Sequence, residues 1–357
     1  MSRKTVARID LSALRHNLAV VRRLAPGSSV VSVIKADAYG HGIPAVTRAL
    51  SGTDVFGVAT AGEAGQVREA GWSGRLLLLE GAANPDDFEL ALELGLELVV
   101  HHAHQLEMLR RRGCSDGQVV WLKVDTGMHR LGFAADQAAV LLRELQSIPG
   151  VSEVIAMSHF ACADERDHPL NRQQIEAFCA ATDELGVARS MANSAALLNF
   201  PDAHWDYVRP GILLYGISPV GGQTGEALGL RPVMSLSCEL IAINPCRRGD
   251  WVGYGATYEC PEDMPVGVGA IGYGDGYPRH LRNGAPVLVN GRRASLAGRV
   301  SMDLITLDLR GHEHARAGDN VLLWGSGLPV EEVATWADAI PYELVCGVTG
   351  RVDRVLL

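Results

Sequence analysis

The chain has 357 residues, 47% hydrophobic and 20% charged, with 32 basic against 41 acidic side chains and a formal net charge of -9. That length carries one large domain and a smaller one around a substantial core, without help from disulfides or metals. The acidic balance argues against a nucleic-acid partner, no apolar run reaches the ~20 residues of a membrane span, and the N-terminal MSRKTVARID lacks the apolar stretch of a signal peptide, so a cytoplasmic protein is expected.

From about residue 30 to 210, short apolar runs alternate with longer amphipathic ones, as in successive βα units. In chain order, strands are expected at 30–34 (VVSVI), 55–59 (VFGVA), 76–79 (LLLL), 96–100 (LELVV), 119–124 (VVWLKV), 151–157 (VSEVIAM), 188–192 (ARSMA) and 205–208 (WDYV). Helical stretches lie between them: AGEAGQVREAG, PDDFELALELG and HPLNRQQIEAFCAATDELG. The last two have Pro near the start and Gly just after the end. The basic run Arg110-Arg111-Arg112 reads as the last turn of a helix that stops at Gly113. Eight units spaced roughly 25 residues apart fit a (β/α)8 TIM-type barrel better than an open sheet.

Beyond residue 229 the texture changes to short strands punctuated by Gly and Pro (VMSLSCELIAI, PVGVGAIGYGDGYP, PVLVNGRRASLAG, MDLITLDL, NVLLWG), with one expected helix, EEVATWADAI. The expected fold class is therefore α/β plus β: a barrel over 1–229 and a mostly β-strand domain over 230–357. The seven cysteines, at 114, 162, 179, 238, 246, 260 and 346, are scattered and form no C-x-x-C pair, so reduced thiols are expected.

A barrel places its chemistry at the C-terminal ends of its strands. Here those positions hold Lys35, Lys123 with Asp125, Ser158 with His159, Asn193 with Ser194, and Arg209. Lysine is scarce: Lys4, Lys35 and Lys123 are the only three among the 32 basic residues, and two of them end apolar strands. Unlike Arg, a lysine can lose its proton on burial and act as nucleophile or base, or trap an aldehyde. Tyr39 follows Lys35 by four residues, and Gly40 and Gly42 permit close backbone approach to a ligand. After the seventh and eighth strands, Asn193-Ser194 and Arg209-Pro210-Gly211-Ile212 occupy the region where barrels build phosphate sites. An aldehyde trap facing a phosphate cradle suggests pyridoxal 5'-phosphate.

Other signals carry less. Gly267 to Gly272 fits G-x-G-x-x-G, but Tyr-Gly-Asp-Gly follows rather than a helix. His101, His102 and His104, like His312 and His314, lack metal-ligand spacing and read as a solvated loop or helix start, so no metal is expected. Gly325-Ser326-Gly327 reads as a turn.

Nine segments, VIKADAYGHG, WLKVDTGMHRLG, SHFACADE, NSAA, VRPGILLYG, VGYGATY, GYGDGY, SMD and YELVCGV, together resemble the bacterial alanine racemases over nearly the whole chain. The resemblance implies pyridoxal phosphate on Lys35 and a homodimer in which each active site combines a barrel with the partner's β domain. It implies Lys35 and Tyr254 as the two bases and Arg209 facing the pyridine nitrogen, with His159 between Arg209 and Tyr254. Tyr39, Asn193, Ser194, Gly211 and Ile212 would hold the cofactor. Arg130 and the backbone N–H of Met302 would seat the substrate, L-alanine or D-alanine. Tyr273 would line the entrance, Asp303 would be a supporting residue of the site, and Lys123 matches a lysine that is carbamylated in some members. The alternative within the class is a racemase for serine or a broader substrate set. A tyrosine is a poor base at neutral pH, with pKa ~10, so cations must lower it, and His159 linked to Arg209 is expected to supply that field. Two departures stand out: Gly350 where some members place a tyrosine that reaches the phosphate, and Ser301 where others have Cys.

Overall fold

A computed structural model describes residues 4–357; residues 1–3, the start of the N-terminal segment read above, lie outside the described residues. Eight strands close into a parallel barrel: β1 (Ser29–Val33), β2 (Val55–Val58), β3 (Arg75–Leu78), β4 (Glu97–Val100), β5 (Gln118–Asp125), β6 (Val151–Met157), β7 (Arg189–Asn193) and β8 (Tyr207–Arg209). Each pairs with the next, and β8 returns to β1 through Tyr207 opposite Ser29 and Val208 opposite Val30. These are the eight expected strands, their ends shifted by at most two residues.

Side chains alternate along a strand, so every second residue points into the barrel. Val31, Val55, Leu77, Val99, Trp121, Ile155, Met157 and Tyr207 fill the interior. Its floor is polar and hydrogen-bonded: Trp121 Nε1 donates to Glu97 Oε2 at 2.7 Å, and Arg75 donates to Tyr207 Oη at 2.8 Å while pairing with Glu97. Two residues beyond Trp121, Met157 and Tyr207 come Lys123, His159 and Arg209. The strand period thus seats three basic groups on an apolar plug at the C-terminal end.

The surrounding helices begin at residues that satisfy their open amides. Thr60 and Glu63 form a capping box for Ala61–Glu69, Asn84 caps Pro85–Glu93, and His102 caps Ala103–Arg112, whose closing arginines end at Gly113 with φ 68. His168 caps Pro169–Thr182.

In the second unit, the long strand Met234–Cys246 pairs with Met264–Gly269 on one side and Asn320–Trp324 on the other. The hairpin Pro286–Val289/Arg292–Leu296 turns at Asn290-Gly291, both with positive φ, as a two-residue loop requires. Two features depart from expectation. The strand Val6–Ile9 belongs to this sheet, antiparallel to Met234–Cys246 and parallel to Asp353–Leu356. Besides the expected helix, now Val330–Trp336, a second one, Pro341–Cys346, follows it; six residues are too few to show a helical period. One contiguous apolar cluster runs from the barrel's outer face into this unit. Among the described residues no helix is long and apolar enough to cross a membrane, and all seven cysteines are free thiols.

Candidate active site

β1 ends in an unusual conformation. Ala36, Asp37, Ala38 and Tyr39 all have φ between 51 and 53° and ψ between 41 and 54°, a left-handed helical turn made of residues with side chains. Each such residue costs about 1–2 kcal/mol relative to its right-handed form, so the surroundings must hold the turn. It starts directly after Lys35 and presents Tyr39, buried, with its ring 4.8 Å from Tyr215. Gly40, with φ 78, is packed tightly: a Cβ there would lie 2.2 Å from the Val345 carbonyl oxygen of the second helix in the β unit.

The other strand ends converge on the same space. Asn193 caps the short helix Ser194–Asn199 through its side-chain oxygen. Ser194 Oγ accepts from Gly211 N at 2.9 Å and Leu213 N at 3.5 Å, leaving its own O–H free to donate. Gly211 makes room for Tyr39, since a Cβ would meet Tyr39 Oη at 2.2 Å and push the phenol aside. The buried Ile212 opens the turn Ile212–Tyr215 beside it.

Arg209 is 5% exposed, yet its partners are neutral: Ser190 Oγ at 2.5 Å, the Ser158 and Met191 carbonyls, and His159 Nδ1 at 3.1 Å. Burial lowers it to about 10, still a cation at neutral pH. His159 is held well below its ordinary value, first by burial, then by Arg209, Lys123, Arg130 and Lys35. It is therefore a neutral imidazole. This corrects the expectation of a His159-centred positive field: the charge behind it is that of Arg209. Burial brings Lys123 down to about 7, helped by Arg209 and Arg130 and opposed by Asp125. Asp125 also shapes the loop that carries Arg130, accepting from Gly127 N at 3.0 Å and His129 N at 3.1 Å.

The structure therefore gathers Lys35, Tyr39, Lys123, Arg130, His159, Asn193, Ser194, Arg209, Gly211 and Ile212 at the barrel's C-terminal end. Tyr254, Tyr273, Met302 and Asp303 lie on the β unit instead. Tyr254 is 71% exposed, in a turn between Gly253 and Gly255, both with positive φ; Met302 is 54% exposed. Tyr273 and Met302 are neighbours, since Tyr273 N donates to Ser301 O at 3.0 Å and Gly274 N to Met302 O at 2.9 Å. Asp303 pairs with Arg351 at 2.6 Å. Among the described residues, no hydrogen bond joins Tyr254, Tyr273 or Met302 to the barrel group.

One residue escaped the sequence reading. Tyr342, in the YELVCGV segment, has its ring 6.1 Å from Tyr39, whereas Gly350 has nothing within 4 Å of where a side chain would start. A second phenol beside Tyr39 thus comes from position 342. Its signal was present in that segment but needed the short helix Pro341–Cys346 to place it.

A closed parallel barrel followed by an antiparallel β unit, with an amine and a hydroxyl-lined cradle at the strand ends, is the layout of the barrel-type amino-acid racemases. Family models agree: residues 9–219 match "Alanine racemase, N-terminal domain" and residues 233–356 match "Alanine racemase, C-terminal domain". An alanine racemase of Nitrosococcus oceani is 52% identical over 349 residues, covering 98% of each chain. "Alanine racemase, biosynthetic" of Pseudomonas aeruginosa is 48% identical over 353 residues, covering 99% of each. Among solved structures, the biosynthetic alanine racemase from Pseudomonas aeruginosa matches with a TM-score of 0.97 at 48% identity, covering 100% of both chains. The alanine racemase from Acinetobacter baumannii matches at 0.95 and 38%, also covering 100% of both. The chain belongs to the alanine racemase family, pyridoxal phosphate-dependent isomerases of an amino acid.

The residues present fit that cofactor. The free Ser194 hydroxyl and the Tyr39 hydroxyl pressed against Gly211 suit a phosphate, Lys35 suits an aldehyde, and a buried Arg209 without a carboxylate partner suits a ring nitrogen that stays unprotonated.

Proposed function

We propose that the chain interconverts L-alanine and D-alanine with two bases, Lys35 on one face of the α-carbon and Tyr254 on the other. Two opposed bases are what inversion needs, because the proton leaves one face and returns to the opposite one. Pyridoxal phosphate, held by Lys35, Tyr39, Asn193, Ser194, Gly211 and Ile212, would supply an electron sink for the departing proton's bonding pair. Lys35 takes or returns the proton on its side through its amine. Tyr254 does so through its phenol, with the neutral His159 between it and the charge of Arg209. Arg130 and the Met302 amide receive the substrate carboxylate, Asp303 holds the Met302 loop through Arg351, and Tyr273 lines the approach.

Tyr254 is exposed in the single chain, and this supports a homodimer in which its loop enters the partner's barrel. On this reading the barrel unit spans 1–229 and the β unit 230–357, the latter borrowing the strand Val6–Ile9. Placement in the cytoplasm is supported by seven unpaired cysteines. Supply of D-alanine, rather than its breakdown, is supported by the biosynthetic relative in Pseudomonas aeruginosa.

The observation that carries the mechanism is the buried Arg209–His159 couple beside Lys35. The test is incubation of the protein and pyridoxal phosphate with each enantiomer of alanine in heavy water. The opposite enantiomer should appear with deuterium at the α-carbon from either start. Exchange without inversion would leave one base, and no exchange with alanine would remove it as substrate.

A further inference from the structure

We propose that Glu63 and His41 are positioning residues that hold the left-handed turn after Lys35 and so fix where Lys35 and Tyr39 stand. The proposal rests on the reading of those two residues given above. Four consecutive non-glycine residues in the left-handed region will not stay there unaided, and Ile34 at the head of the turn makes no side-chain capping bond. Two side chains from outside the turn meet its two ends instead.

Glu63 meets the start. Its Oε2 closes the capping box of Ala61–Glu69, accepting from Thr60 N at 3.4 Å and from Ala59 N at 2.9 Å. A capping box needs only that one carboxylate oxygen. The other, Oε1, reaches the neighbouring strand end and accepts from Ala36 N, the first amide of the turn, at 2.7 Å. Glu63 is itself fixed, since its amide donates to Thr60 Oγ1 at 3.2 Å. One carboxylate thereby ties the end of β2 to the residue after Lys35.

His41 meets the other end. Its Nδ1 lies 2.8 Å from the Tyr39 carbonyl and 3.1 Å from that of Ala38, both acceptors, so Nδ1 carries the proton and donates. The ring is 1% exposed and lies tilted against Tyr215 at 4.5 Å, the same ring on which Tyr39 stacks. Burial brings His41 down to about 4, so it is neutral in physiological conditions. Its Nε2 is buried without a partner, a cost the fold accepts for the sake of Nδ1. Tyr39 is held by its backbone and its ring at once.

The experiment compares wild type with Glu63→Ala, Glu63→Gln, His41→Ala and His41→Asn. The first readout is amide hydrogen exchange without added cofactor; the second is titration with pyridoxal phosphate, followed by the visible absorbance of the lysine-bound form. Glu63→Ala should speed exchange in the 35–41 peptide roughly tenfold, leave the helix Pro169–Thr182 as protected as before, and weaken cofactor binding by a similar factor. It should lower kcat more than it raises KM for alanine. Glu63→Gln keeps one acceptor oxygen and should fall between. His41→Asn, which can donate to the same carbonyls, should stay near wild type while His41→Ala does not. Unchanged exchange and unchanged cofactor affinity in both alanine variants would overturn the assignment, as would faster exchange spread evenly over the whole chain. If wild type itself develops no absorbance, the reading of Lys35 fails and the proposal with it. If wild type binds and the variants bind equally well, only the clasps fall.

Discussion

Arg209 Nη2 donates to His159 Nδ1 across 3.1 Å, and this fixes the imidazole's protonation. A guanidinium has only donors, so His159 must accept at Nδ1 and carry its proton on Nε2. The charge stays on Arg209, where it would oppose protonation of a pyridine ring nitrogen placed against it. Replacing Arg209 with Glu inverts that influence and would let the ring hold electrons longer. Arg209→Glu should lose racemisation by roughly a hundredfold and raise transamination relative to it. The ratio of pyridoxamine formed to alanine inverted, followed by chromatography, reads this directly; an unchanged ratio would refute the role given to Arg209.

Lys123 illustrates the opposite use of burial. Its amine sits beside two guanidiniums and titrates near 7, so much of it is neutral at neutral pH. A neutral amine adds carbon dioxide to give a carbamate and a proton, and the new anion would lie between Arg209 and Arg130. Incubation with labelled bicarbonate should produce one carbamate carbon resonance that Lys123→Ala lacks. A hydrogen bond to a charged group contributes about 1.5–3 kcal/mol, so Lys123→Ala should lower kcat/KM by roughly ten- to a hundredfold. Lack of the resonance in wild type would mean that the lysine acts as an amine.

The barrel was legible because parallel strands buried on both faces read as unbroken apolar runs such as Val30 to Ile34 and Leu76 to Leu79. Their period then placed Lys123, His159 and Arg209 without further help. Three features were not legible, for different physical reasons. Val6–Ile9 is four residues long and earns its place only by pairing with segments more than two hundred residues away. The turn Ala36–Tyr39 has no glycine in it to announce positive φ; its hydrogen-bond partners are the Glu63 carboxylate, 27 residues along the chain, and the His41 ring, two residues beyond Tyr39. Tyr342 reaches Tyr39 through a helix too short to show a period.

Stability should fall on the acid side for an identifiable reason. His41 titrates near 4 when folded against 6.5 in the open chain, because burial disfavours its charged form. Its contribution is fully present above pH 6.5 and is lost as pH falls toward 4, since the unfolded chain binds the extra proton, at about 1.4 kcal/mol per pH unit. His159, held well below its ordinary value, acts in the same direction. Between pH 7.5 and 5.5, His41→Asn should therefore lose about 1.4 kcal/mol less than wild type. Urea unfolding at fixed protein concentration measures the difference; equal losses would show that His41 is not buried neutral.

Tyr254 allows the shared-site reading to be tested without a structure of the dimer. Its side chain is 71% exposed, so Tyr254→Phe should change the stability of the chain by no more than about 0.5 kcal/mol. Proton removal from one enantiomer of alanine should nevertheless fall far more than from the other. Lys35→Ala should be inactive in both directions. If each site takes Lys35 from one chain and Tyr254 from the other, a mixed dimer of the two variants contains one doubly damaged site and one intact site. Unfolding and refolding the two inactive proteins together, so that subunits redistribute, should then restore activity to roughly a quarter of wild type, because about half the dimers are mixed and each has one working site of two. If Lys35 and Tyr254 served the same chain's site, every site in the mixture would carry one lesion, and no activity would return.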